Sequence, residues 1–385
     1  MINSVFPKII FTAFLCLLFI RLQAACPINE TDFANGGTFS GPCTLNYGSS
    51  TTITGAVIWT GGTLTLRRMD GAGLIIANGG SLTIQGGTVT IDDDDGGNDG
   101  FISVEAGGTL TMTGGTLNIE EDLNVAGTVN IQSGATVNTT QNGDINVSSG
   151  GILNISGTLN SNDQFNVLTG GTATVGSTGI VNVNNRTTIQ GSLTVSGAFN
   201  ANGTGGDDLE INGGYVTVTS GGTIDAADDI DITNAGTLEI QLGGTVNSVD
   251  DLRNNGSQGT IIVDGILDVG GSVNILNSTP DSSLSGSGTL DIAIVDTAGT
   301  FTDQEFGPFS NCTSFPCSPN LIVQILGAPS SVKNTTAFTV TIEFGQNVTG
   351  FAIGDITVVN GSKSNFIAVD GNTYTVDITP NPGVS

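Results

Sequence analysis

From about residue 50 to about residue 300, apolar and polar side chains alternate in short runs of four to five residues, and glycine introduces most of the runs. Leu123, Val125, Val129, Ile131 and Val137 fall on one side of the alternation, and Asn124, Thr128, Asn130, Thr136 and Asn138 fall on the other. A period of two belongs to β-strands, whose successive side chains point to opposite faces. The runs also recur as a set. Asp122-Leu123-Asn124-Val125 aligns with the segments at Asp144, Gln164, Thr187, Asp208, Asp229 and Asp250. Leu123 to Leu252 spans 129 residues in six steps, a mean of about 21.5 per step. Two further glycine-led strands complete each unit, as in Gly127-Thr128-Val129-Asn130-Ile131 and Gly134-Ala135-Thr136-Val137-Asn138.

One apolar side per strand and three strands per ~21-residue unit predict a coil wound around a triangular core. Each coil pairs with the next through parallel ladders at a spacing of ~4.8 Å. Glycine at the corners accepts the positive φ of tight bends, and parallel connections coil to the right. The expected fold class is all-β, a right-handed parallel β-helix over residues 51–300. About ten coils would make a rod ~50 Å long. An open coil exposes unpaired edges, so both ends need covers. Residues 26–50 are the expected front cap, and residues 301–327, with Phe301, Phe306, Phe309 and Phe315, the expected back cap or linker.

The repeat stops near Gly327-Ala328-Pro329. Residues 328–385 carry aromatic alternating strands: Ala337 to Phe344, then Val348-Thr349-Gly350-Phe351, Asp355-Ile356-Thr357-Val358, and Tyr374 to Pro380. Alternation broken by turn residues predicts a β-sandwich. This segment resembles the bacterial Ig-like domains found in tandem on large surface proteins. The resemblance implies a spacer or adhesive module and carries over no catalytic residue. Such domains continue with at least one further strand, so the sandwich is expected to be partial and the chain to belong to a longer polypeptide.

Residues 1–25 predict a signal peptide. Lys8 precedes a 12-residue apolar run, Ile9 to Ile20, and Ala24-Ala25 offer small residues for cleavage. The run is shorter than the ~20 residues that span a bilayer. Cys26 raises a lipid-anchored alternative, but Gln23 stands where such sites carry an aliphatic residue. Export makes disulfides the expected state of the remaining cysteines, and local spacing favours Cys26–Cys43 and Cys312–Cys317 among three pairings. The chain carries 8 basic and 35 acidic residues, a net charge of −27. So few cations exclude nucleic acid as a partner, disfavour anionic lipid and favour attraction for divalent cations.

Catalytic constellations are weak, and the sequence reads as no enzyme. There is no histidine for a nucleophilic triad. Solenoid polysaccharide lyases need a basic residue beside calcium carboxylates, but Arg186 and Arg253 sit about three coils apart. Solenoid glycosidases use paired acids. The pairs Asp207-Asp208, Asp228-Asp229 and Asp250-Asp251 recur with the repeat instead of breaking it. Stacking like charges ~5 Å apart costs about 1–3 kcal/mol per pair at an effective dielectric of 20–80. A calcium edge through Asp122, Asp144, Asp208, Asp229 and Asp251 is one way to offset this. The other is that each Asp accepts backbone N–H bonds.

Asp92 to Gly100 reads as a solvated acidic insertion and Trp59 as cap packing. The outward Thr rows read as ordinary strand propensity rather than an ice-ordering array. The function expected is a non-catalytic secreted or cell-surface protein, its solenoid an adhesion or spacer module within a larger multidomain chain. Its partners would be surface glycans or other cell-surface proteins. The alternative is a β-helix that binds or degrades polysaccharide.

Overall fold

In a computed structural model of the chain, the structure describes residues 26–27, 29–47, 49–68, 73–93, 100–203, 207–254, 259–275, 283–285, 289–294, 323–329, 336–344 and 347–382. The signal segment and the Cys312–Cys317 pair lie outside these residues, as do Phe301, Phe306, Phe309, Phe315 and most of the Asp92–Gly100 insertion. The protein is all-β: a parallel β-helix of three sheets and about 10 turns, followed by a small antiparallel sheet. Two compact units divide the chain at Val183/Asn184.

In the first unit, one coil can be followed through Thr128–Ile131, Ala135–Thr139 and Ile145–Val147. Each strand pairs in parallel with its equivalent one coil on: Thr128 with Ile152, Thr136 with Thr158, Ile145 with Phe165. The register keeps like over like, so Leu123, Val125, Val129, Ile131 and Val137 all point inward and are buried. Apolar area removed from water drives this packing at about 25 cal/mol per Å². The corner at Gly87 shows why glycine is needed. Its φ is +77°, and a Cβ there would come within 2.0 Å of the Gly62 carbonyl oxygen of the preceding coil.

The front cap is smaller than the sequence suggested. The helix Glu30–Asn35, N-capped by Asn29, covers the end. The coil pattern already begins with Gly37–Phe39 and Cys43–Tyr47, which pair with Ala56–Trp59 and Thr63–Arg68. Phe33 of the helix packs 5.8 Å from Phe39, ring centre to ring centre. Trp59 is fully buried, so it belongs to the core and not to an exposed sugar platform. The Cys26–Cys43 disulfide is formed and ties the cap to the first coil.

In the second unit the same three-strand coil runs through Ser192–Val195, Ala198–Ala201 and Asp207–Asn212. The strand Ile266–Ile275 passes through a corner at Gly270-Gly271 without a break and pairs with both Thr245–Ser248 and Leu252–Asn254.

The antiparallel sheet has the order Val323–Leu326, Phe338–Phe344, Thr373–Pro380, Gly361–Ala368. Val340, Ile342, Phe344, Tyr374 and Val376 form its core, with Phe351 and Phe366 packed against them. Phe351 meets Tyr374 edge-on at 5.0 Å, a favoured aromatic geometry. The Tyr374 hydroxyl donates to the Val348 carbonyl at 3.2 Å, pinning the Val-Thr-Gly-Phe segment to the sheet. The sheet starts earlier than residue 328, because Val323 pairs with Phe344 and Ile325 with Ile342.

Candidate functional site

Two surface features repeat from coil to coil. The first is a set of amide ladders on the outward side of the strands. In the first unit, Asn138 Nδ2 donates to Asn118 Oδ1 at 2.8 Å, Asn160 to Asn138 at 2.7 Å, and Asn182 to Asn160 at 2.7 Å. A second file joins Asn124, Asn146 and Asn166, and a third joins Asn130 to Asn154. An amide has both a donor and an acceptor, so a stack of equivalent Asn side chains closes head to tail with no mismatch. The parallel in-register pairing supplies the stack.

The second feature is the acidic edge before the third strand of each coil. In the first unit, Asp122 Oδ1 accepts the Asp144 N–H at 2.9 Å, and Asp144 Oδ1 accepts the Gln164 N–H at 2.9 Å. In the second unit, Asp229 Oδ1 accepts the Asp251 N–H at 2.8 Å. Each acid thus caps the backbone of the next coil. A backbone N–H aimed at a carboxylate is a charge-assisted bond, stronger than a neutral one. Burial pushes the Asp144 carboxyl up; the Gln164 N–H opposes this, and the neighbouring acids Asp122 and Asp163 add to it. Burial raises Asp229 likewise, against the Asp251 N–H and the Arg253 charge.

The five predicted edge residues do not form one uniform file. Asp122 and Asp144 stack in the first unit, and Asp229 and Asp251 stack in the second. Asp208 departs from its expected place. Asp207, not Asp208, is in register with Asp229, and pairing resumes at Leu209 and Ile230. Asp208 is therefore a bulge residue, and bulges re-aim side chains. It turns inward and is 2% exposed. Arg253, which spacing alone could not place, joins three acids: Asp229 at 2.5 Å, Asp251 at 3.1 Å and Asp231 at 3.9 Å. Arg186 pairs with Glu210 at 2.6 Å and Arg67 with Asp92 at 3.3 Å.

Residues 318–385 match the family model of a bacterial Ig-like domain. Together with the parallel β-helix, this defines the class: a repeat solenoid followed by an Ig-like module, a combination that fits a surface or extracellular protein. No characterised protein and no solved structure matches the chain. Among the described residues, no helix is long and apolar enough to cross a membrane.

Proposed function

We propose that the chain is a non-catalytic secreted or cell-surface protein whose solenoid acts as an adhesion or spacer module carrying the Ig-like domain. The observation that supports this reading most is the commitment of the repeated polar groups to one another. Outward amides bond to amides along the stack. Edge carboxylates at Asp122, Asp144 and Asp229 hold backbone N–H groups. Groups used this way stiffen a surface and keep it regular; a general acid or base must instead be able to reach a substrate proton. Partners of such a flat, polar, anionic surface are surface glycans or other cell-surface proteins.

The polysaccharide reading has one observation in its favour. Tyr215 stands exposed on an outward strand with its hydroxyl bonded to Glu239, and an aromatic beside a polar group is a usual sugar contact. Purified full-length chain incubated with a panel of neutral and acidic polysaccharides separates the two readings. Retention without chain shortening or new reducing ends supports the module. Saturable cleavage of any polysaccharide would replace it with the enzymatic reading.

A further inference from the structure

In the second unit, the outward side of one sheet departs from its repeat over a single patch. Hydroxyl side chains fill most positions: Ser192 and Thr194 on one coil, Thr217 on the next, Thr237 and Thr260 beyond. Tyr215 stands in the file of Ser192 and Thr237. Glu239 stands in the file of Thr194 and Thr217, with Ile262 after it. The first two exceptions touch: the Tyr215 hydroxyl donates to the Glu239 carboxylate one coil on. Gln241 Nε2 donates to the other carboxylate oxygen at 3.2 Å. At the following corner, Leu242 stands where the preceding coil has Ser220, and it is 80% exposed.

Tyr215 is 41% exposed, and its in-register neighbours, Ser192 and Thr237, are too short to cover its ring. Tyrosine in such a place offers a large, rigid apolar area at low entropy cost. A carboxylate accepts up to about four hydrogen bonds. Tyr215 and Gln241 supply two, which orients Glu239 and leaves acceptor capacity for hydroxyls of a ligand. A pyranose ring matches this pair: it has an apolar C–H face for the aromatic ring and a rim of hydroxyls for the carboxylate. Charge then selects among sugars. The outward residues of these strands include Glu239 and no cation, and the chain carries −27. Uronic and sulfated sugars are therefore repelled, and neutral ones are not.

We propose that Tyr215, Glu239 and Gln241 form a binding site for neutral pyranose units of a surface glycan. Tyr215 packs on the sugar ring, Glu239 accepts its hydroxyls, and Gln241 holds Glu239 in place. The inference rests on the reading of the solenoid as a glycan-contacting module and names the sugar class. A contact this open is weak, with a Kd of about 0.1–1 mM expected for a short oligosaccharide.

Calorimetric titration of the full-length chain with glucan, mannan and xylan oligosaccharides tests the site, with oligogalacturonate as the acidic probe. Saturable binding of at least one neutral oligosaccharide is expected, and none of oligogalacturonate. Tyr215→Ala should weaken the neutral binding about tenfold or more. Tyr215→Phe keeps the ring and should retain most of it, and Glu239→Gln should weaken it severalfold. Absence of saturable neutral binding up to about 10 mM, or tighter binding of oligogalacturonate, would overturn the site. Equal binding by wild type and Tyr215→Ala would overturn the site alone, whereas new reducing ends would overturn the module reading. Tyr215 is exposed, so its variants keep the fold and the comparison stays decisive.

Discussion

The N–H of Asp144 donates to the carboxylate of Asp122, one coil away, at 2.9 Å. This bond makes the acidic edge a structural element. A side chain that would repel its neighbour instead anchors that neighbour's backbone. Asp122→Ala removes the acceptor and should lower stability by about 1.5–3 kcal/mol, the range for bonds to charged groups. Asp122→Asn keeps an acceptor oxygen and should lose less than half as much. Urea unfolding of the three proteins checks the order; equal losses in both variants would show that charge, not capping, matters at this position.

The amide ladder makes a related prediction. Asn138 donates to Asn118 and accepts from Asn160, so Asn138→Ala breaks two bonds and should cost about 1–3 kcal/mol. Asn138→Asp keeps the acceptor for Asn160 but places a carboxylate oxygen against the Asn118 oxygen. It should be less stable than the wild type, and its deficit should shrink at low pH as the carboxyl is protonated. Thermal melts at two pH values measure this.

Trp59 separates packing from ligand contact. It is fully buried, and its Nε1 has no hydrogen-bond partner. Trp59→Ala should cost about 3–5 kcal/mol through the cavity it leaves. Trp59→Phe removes the unsatisfied N–H with part of the volume and should cost clearly less. Glycan retention by the folded Phe variant should match the wild type.

Asp208 predicts a pH dependence in metal-free protein. Burial, followed by the Asp228 charge, raises its carboxyl from 3.8 to about 6 in the folded chain. The folded state then holds this proton over a range in which the unfolded state has released it. The contribution to stability is intact below about pH 4, falls as pH rises to about 6, and stays lost above that. Two pH units correspond to about 3 kcal/mol. The wild type minus Asp208→Asn difference in unfolding free energy, measured with chelator between pH 3.5 and 7.5, should follow this curve. A flat difference would show that Asp208 is not buried as an acid.

Much of the solenoid was legible from alternation alone, because inward and outward positions such as Leu123 and Asn124 differ so sharply in polarity. The Ig-like segment was legible from its aromatic spacing. Its true start was not, since Val323–Leu326 is a short apolar run whose partner, Phe338–Phe344, lies beyond a loop. The acidic edge was visible as recurrence, but its chemistry was not. Spacing cannot tell whether a carboxylate accepts a backbone N–H or faces a cation. It also cannot reveal the single extra residue that bulges Asp208 inward while Asp207 takes its register place. The Asn recurrence at Asn118, Asn138, Asn160 and Asn182 was a signal for the ladders, readable once equivalent positions are assumed to stack.

Surface labelling of intact producing cells is the most direct test of the central claim. Antibody to the solenoid should label unbroken cells or the medium, and external protease should remove the cell-bound signal. A signal found only after lysis, protected from protease in intact cells, would contradict an extracellular module.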